Sequence, residues 1–150
     1  MTTFESVEAL KAAVGQHLGY SEWMEISQER VNQFADATDD HQFIHVDPRA
    51  AAQTPFGGTI AHGYLTLSLV VPLVSQIYSV DGVRMGVNYG TNKVRFPAPV
   101  PVGSKIRAGA ELRSVTDVTG GVQVELTVTT ETEGGTKPVC VAETVSRLYV

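Results

Sequence analysis

From Thr59 to Ile77 the chain is apolar nearly all round, with Ile60, Ala61, Leu65, Leu67, Leu69, Val70, Val71, Leu73, Val74 and Ile77 spread over every side of a helix. A helix with no polar face has to be wrapped by other structure. The C-terminal half of the chain supplies a wrapping of the right kind. Ile106, Ala108, Ala110 and Leu112 alternate with Lys105, Arg107, Glu111 and Arg113; Val122, Val124, Leu126 and Val128 alternate with Gln123, Glu125 and Thr127. Period two marks half-buried antiparallel strands. Thr119-Gly120-Gly121 joins these two, and Glu133-Gly134-Gly135-Thr136 leads to a third, Val139 to Val150. An earlier strand, Met85 to Phe96, changes face near Gly90 to Asn92, which predicts a bulge. The expected class is α+β: an antiparallel β-sheet wrapped around a long central hydrophobic helix. Pro72 is expected to kink that helix or break its hydrogen bonding. The run from Phe96 to Gly103 reads as a stiff connection within one sheet, so residues 1–150 are expected to form a single domain.

The N-terminal part reads as caps and short elements. Ser6 is placed to cap a helix carrying Val7, Leu10 and Val14 that Gly15 would end. His17 to Ile26 is extended in character. Ser27 caps a helix with Val31, Phe34, Ala35 and Thr38 on one face, and Asp39-Asp40 should end it. Asp47-Pro48 signals another helix start. Asp39 to Val46 is therefore expected to be a loop pinned between two helix ends, a setting that presents side chains accurately.

Whole-chain properties exclude several classes. The net charge is −5 without a basic run, so the footprint of a nucleic-acid binder is missing. The longest apolar stretch, Leu65 to Val74, is too short and too polar to span a bilayer, and no secretory leader is read at the start. Cys140 is the single cysteine; it sits in a strand-like run with no histidine near, and it suits a reducing cytoplasm.

Three of the four histidines fall between Asp39 and Leu65. The segment holds Asp39-Asp40-His41-Gln42-Phe43-Ile44-His45 and then Phe56-Gly57-Gly58-Thr59-Ile60-Ala61-His62-Gly63. Asp40 alone would read as a capping or loop residue, and His45 as a histidine satisfied at a helix start. His41 and His45 have the i, i+4 spacing of a metal pair, but that needs a helix across the segment and lacks the glutamate of the zinc pattern.

Taken in concert, Asp40 to His45 followed by Ala50-Ala51, the Phe56 to Gly63 motif, and the later Val94-Arg95-Phe96-Pro97-Ala98-Pro99-Val100 run resemble the MaoC-like, (R)-specific enoyl-CoA hydratases over the whole chain. The resemblance implies the hot-dog fold, a homodimer with joined sheets, and reversible syn hydration of trans-2-enoyl-CoA to (R)-3-hydroxyacyl-CoA without metal or organic cofactor. By position it makes Asp40 and His45 the catalytic pair and gives the backbone N–H of Gly63 to the thioester oxygen. Gln42, Phe56, Gly58 and His62 are expected to line the substrate site, His62 with a further structural bond to a neighbouring loop. The acyl group is carried by coenzyme A or an acyl carrier protein. The chain departs from the family at Gln42-Phe43, where Asn-Pro is usual, and at Asp39, where glycine is usual.

Such a reaction needs a group to take a proton from water, one to protonate Cα, and a donor for the enolate oxygen. A histidine exchanges protons near neutrality, a carboxylate holds the water, and an unpaired N–H at a helix start receives negative charge. A hot-dog thioesterase, the main rival, commonly carries an acid on or beside the buried helix. Thr59 to Ser79 contains no Asp or Glu. The same absence counts against the dehydratases that pair a loop histidine with a helix glutamate. A non-catalytic thioester-binding module would have no use for the Asp40–His45 pair.

Overall fold

The computed structural model describes all 150 residues, Met1–Val150. In chain order its elements are β1 (Thr2–Phe4), α1 (Val7–Ala12), β2 (His17–Tyr20), β3 (Met24–Glu25), α2 (Gln28–Thr38), α3 (Phe43–Val46), α4 (Pro48–Ala51), α5 (Gly63–Ser68), α6 (Val70–Val74), β4 (Tyr78–Val80), β5 (Met85–Arg95), β6 (Lys105–Val118), β7 (Gly121–Thr132) and β8 (Pro138–Tyr149). The alternating segments pair as antiparallel neighbours in the order β2-β6-β7-β8-β5, with β3 on β6. Their inward residues, among them Ile106, Ala108, Leu112, Val124 and Val128, join Leu65, Leu69, Val70 and Leu73 in one buried cluster. The register of β5 on β8 slips between Asn88 and Gly90 and again between Thr91 and Lys93, which is the expected bulge.

The caps act where the sequence puts them. Ser6 Oγ accepts the Ala9 N–H, Ser27 Oγ the Arg30 N–H, and the Asp47 carboxylate the Ala50 N–H. Asp39 ends α2 in the left-handed region at φ 59°. Aspartate tolerates that region better than most residues, but glycine suits it best.

The break expected from Pro72 is present, and two features differ from the sequence reading. The central helix is two short helices end to end, parted at Leu69. Pro72 has no N–H for the carbonyl of Ser68, and its ring crowds that same carbonyl, so α5 stops at Ser68. The helix pair is not wrapped on all sides. Leu65, Val70 and Leu73 face the core, whereas Tyr64 is 72% exposed and Val71 53% exposed. Finally, the supposed loop contains α3. The N–H groups of His45 and Asp47 bond the carbonyls of Gln42 and Phe43, and this single turn points His45 inward while Phe43 stays exposed. A small parallel pair, β1 with β4, carries no sequence signal; three-residue strands are too short to show a period.

Candidate active site

His45 is positioned by groups far apart in sequence. The residue is 7% exposed, and Nδ1 lies 2.7 Å from the carbonyl oxygen of Ile60. A carbonyl can only accept, so Nδ1 carries the proton and Nε2 is left with a lone pair. The carbonyl of Ile60 is itself held in place, because Ile60 N–H donates to Ile44 and the flanking residues bond across to Val100 and Val102. Below the turn, Gln28 Nε2 donates to the His45 carbonyl at 2.7 Å, and Gln28 Oε1 accepts from Thr59 Oγ1 at 2.6 Å. Gln28 thus ties α2, α3 and the approach to α5 together.

His62 is the N-cap residue of α5 and is 2% exposed. Its ring stacks on His45 with centroids 3.9 Å apart and planes 25° apart, and it packs against Phe34 at 4.8 Å. His62 Nε2 donates to the backbone carbonyl of Asp40 at 3.0 Å. Its Nδ1 is buried without a partner. The Asp40 carboxylate is exposed and accepts the Gln42 N–H at 3.4 Å.

A carboxylate oxygen of Asp40 and one ring nitrogen each of His45 and His62 lie within 4.8 Å of one another. One water making two hydrogen bonds of about 2.8 Å reaches across roughly 5.6 Å at most, so the Asp40–His45 gap is the right size for a shared water. The i, i+4 metal pairing does not form: α3 begins at Phe43, and exposed His41 pairs with Asp36 at 2.8 Å.

Gly63, the first residue of α5, has an N–H that meets no acceptor in its own helix, as expected at that position. A Cβ there would sit 3.2 Å from Cδ2 and Cε2 of Phe96. Glycine therefore serves packing as well as a close approach to the backbone. Of the remaining expected site residues, Gln42 adjoins Asp40 through its N–H, and its side chain makes no cap bond. His62 is interior, bonded to the loop rather than presented to solvent. Phe56 and Gly58 lie in the turn before Thr59, and neither hydrogen-bonds to Asp40, His45 or His62.

One turn beyond Gly63, a cavity of about 650 Å³ opens between the helix pair and the sheet, lined by Leu67, Val71, Val74, Val87, Leu126 and Leu148 among others. That is within the range of small-molecule clefts. Tyr78 lies in its wall, and burial pushes its phenol up to about 12. Burial likewise pushes the Cys140 thiol up to about 11, which leaves it an inert core group.

The sequence matches the family described as MaoC like domain over residues 9–134. The chain belongs to the MaoC-like family. It is 57% identical to 3-hydroxyacyl-thioester dehydratase Z of Mycobacterium tuberculosis, across 98% of each chain. It is 43% identical to nodulation protein N of Rhizobium leguminosarum, across 94% of this chain and 89% of that protein. Among solved structures, the (R)-hydratase of A. caviae involved in PHA biosynthesis superposes with a TM-score of 0.74 at 29% identity, covering 90% of this chain and 96% of that one. The architecture is accordingly the hot-dog fold. Asp39, where the resemblance leads one to expect glycine, holds the left-handed conformation that favours glycine. Gln42-Phe43 opens α3 without proline. The contributions sequence reasoning missed are those of Gln28 and the Ile60 carbonyl. Both act through backbone bonds across 15 residues or more, and neither leaves a local signal.

Proposed function

We propose that this protein is an (R)-specific enoyl-thioester hydratase, equally a 3-hydroxyacyl-thioester dehydratase, acting in fatty-acid metabolism on coenzyme A or acyl-carrier-protein substrates. The observation that carries the reading is the grouping of the Asp40 carboxylate with a ring nitrogen each of His45 and His62 within 4.8 Å of one another, with the unpaired N–H of Gly63 on the next residue and an apolar cavity one turn further along the helix. In hydration, Asp40 and His45 hold one water. Its hydroxyl adds to Cβ, and Nε2 takes the released proton while Nδ1–H stays on Ile60. The same pair returns a proton to Cα on the same face. Enolate charge on the thioester oxygen rests on the Gly63 N–H. Proton transfer of this kind contributes roughly 10²–10⁴-fold, and one oxyanion donor roughly 10²–10³-fold. The names borne by the M. tuberculosis and A. caviae relatives support the reaction class.

The active form in this reading is a homodimer. The outer edge of β5 has no neighbour in the sheet, and the strand exposes Met85, Val87 and Tyr89, the last at 60%. An open edge strand with exposed apolar residues invites pairing, and the exposed faces of Tyr64 and Val71 add apolar surface to be covered. No helix is long and apolar enough to cross a membrane; we place the protein in the cytoplasm, as one domain over residues 1–150.

The test is turnover of a short trans-2-enoyl-CoA, followed by loss of the enoyl-thioester absorbance, with chiral analysis of the product and a free-thiol assay alongside. Rapid loss of absorbance giving the (R)-3-hydroxy product without free thiol is the expected result. Thiol release without hydration would make it a thioesterase, and binding without turnover a binding module.

A further inference from the structure

Resting on the hydratase reading, we infer that His62 is a positioning residue for the reaction, coupling Asp40, His45 and Gly63 into one unit, rather than a substrate contact. Three observations converge on this one side chain. Its Nε2–H holds the carbonyl of Asp40, the residue whose carboxylate has to aim at the water and which is otherwise on an exposed segment. Its ring is the floor on which the His45 ring lies, 3.9 Å away and nearly parallel. Its own carbonyl accepts the Thr66 N–H that opens α5, and the next residue along supplies the Gly63 N–H. A shift of His62 therefore moves the base, the carboxylate and the oxyanion donor together.

The tautomer is set by the same contacts. With the Nε2 proton committed to a carbonyl, Nδ1 carries a lone pair in a buried place where nothing donates to it. The other groups around the ring are Phe34, His45 and, within 4.8 Å of a ring nitrogen, the Asp40 carboxylate. The carbonyl bond matters for rate because a misplacement of about 1 Å in a catalytic group costs on the order of 10²-fold.

Two substitutions separate the contributions. His62→Phe keeps a stacking ring and removes the N–H; His62→Gln keeps an N–H of similar reach and removes the ring. The expected result for His62→Phe is a fall of about 10–100-fold in kcat with KM changed less than about threefold. His62→Gln should recover part of that loss. In an Asp40→Asn background, His62→Phe should have little further effect, because groups that act as a unit are not additive. Full kcat in a folded His62→Phe protein, or a loss that multiplies with that of Asp40→Asn, overturns the inference while leaving the hydratase reading intact. Long-range ¹H–¹⁵N spectra of the histidines judge the tether without turnover. They should show His62 protonated on Nε2 and His45 on Nδ1, and the opposite tautomer of His62 refutes it even if the wild-type protein hydrates nothing.

Discussion

Gly63→Ala separates two reasons for a glycine at the start of the central helix pair. The added methyl would lie 3.2 Å from two carbons of the Phe96 ring and 3.3 Å from a third, a few tenths of an ångström closer than ordinary contact. Phe96 is 42% exposed, so it can lift away, and alanine favours helix over glycine by up to about 1 kcal/mol. The two effects nearly cancel, and the melting temperature should move by no more than about 4 °C. Activity should respond far more. The methyl stands beside the N–H proposed to meet the thioester oxygen, and the loss should approach the roughly 10²–10³-fold of a deleted oxyanion donor. The assay is kcat/KM for enoyl-CoA hydration next to a thermal melt, with Gly63→Ala/Phe96→Leu as the companion. If relieving Phe96 restores activity, the loss came from packing and not from substrate approach. Wild-type activity in the single variant would refute the role of a close approach at Gly63 altogether.

Three further outcomes are expected. Gln28→Met keeps the volume but deletes the bonds to the His45 carbonyl and Thr59 hydroxyl; it should cost about 2 kcal/mol and lower the melting temperature by about 4–8 °C, and an unchanged melt contradicts the staple. In alkali, burial raises Cys140 to about 11 and Tyr78 to about 12, above their usual values, so the unfolded chain ionises first. The stability these neutral groups supply is whole below about pH 9 and falls as pH rises through 11–12, by about 2–3 kcal/mol per group. Urea midpoints should show this decline, and Cys140→Ala should remove its first part. Tyr89→Lys, on the open edge of β5, should convert a dimer to a monomer in light scattering, and a wild-type protein that is already monomeric contradicts the proposed pairing.

Much of the fold was legible because its signals are local. Ser6, Ser27 and Asp47 cap within three residues of themselves, and the alternation from Lys105 to Val128 needs only the two faces of a sheet. Pro72 announced a break in the helix, and its position is set by the carbonyl four residues back, at Ser68. The open side of that helix was not legible. Val71 reads as core because it is apolar, and which apolar faces a single chain leaves uncovered depends on the extent of the sheet. Within the site, Asp40, His45 and Gly63 stand out as a motif, whereas the Ile60 carbonyl that sets the His45 tautomer is a backbone group any residue would supply. Gln28 looked like an ordinary helix-surface residue, since nothing about a glutamine shows which turn lies opposite it. His62 could be read as a substrate contact or a structural bond, and only the stacking on His45 and the bond to Asp40 show how it sits.

The central claim is that Asp40 and His45 act together on one water. Its most direct test is kcat/KM for trans-2-enoyl-CoA hydration by Asp40→Asn, His45→Gln and the double variant, each checked for a native melt. Each single change should cost roughly 10²–10⁴-fold, and the double variant should be no worse than the poorer single one. Near wild-type rates in either single variant, or losses that multiply in the double, would contradict it.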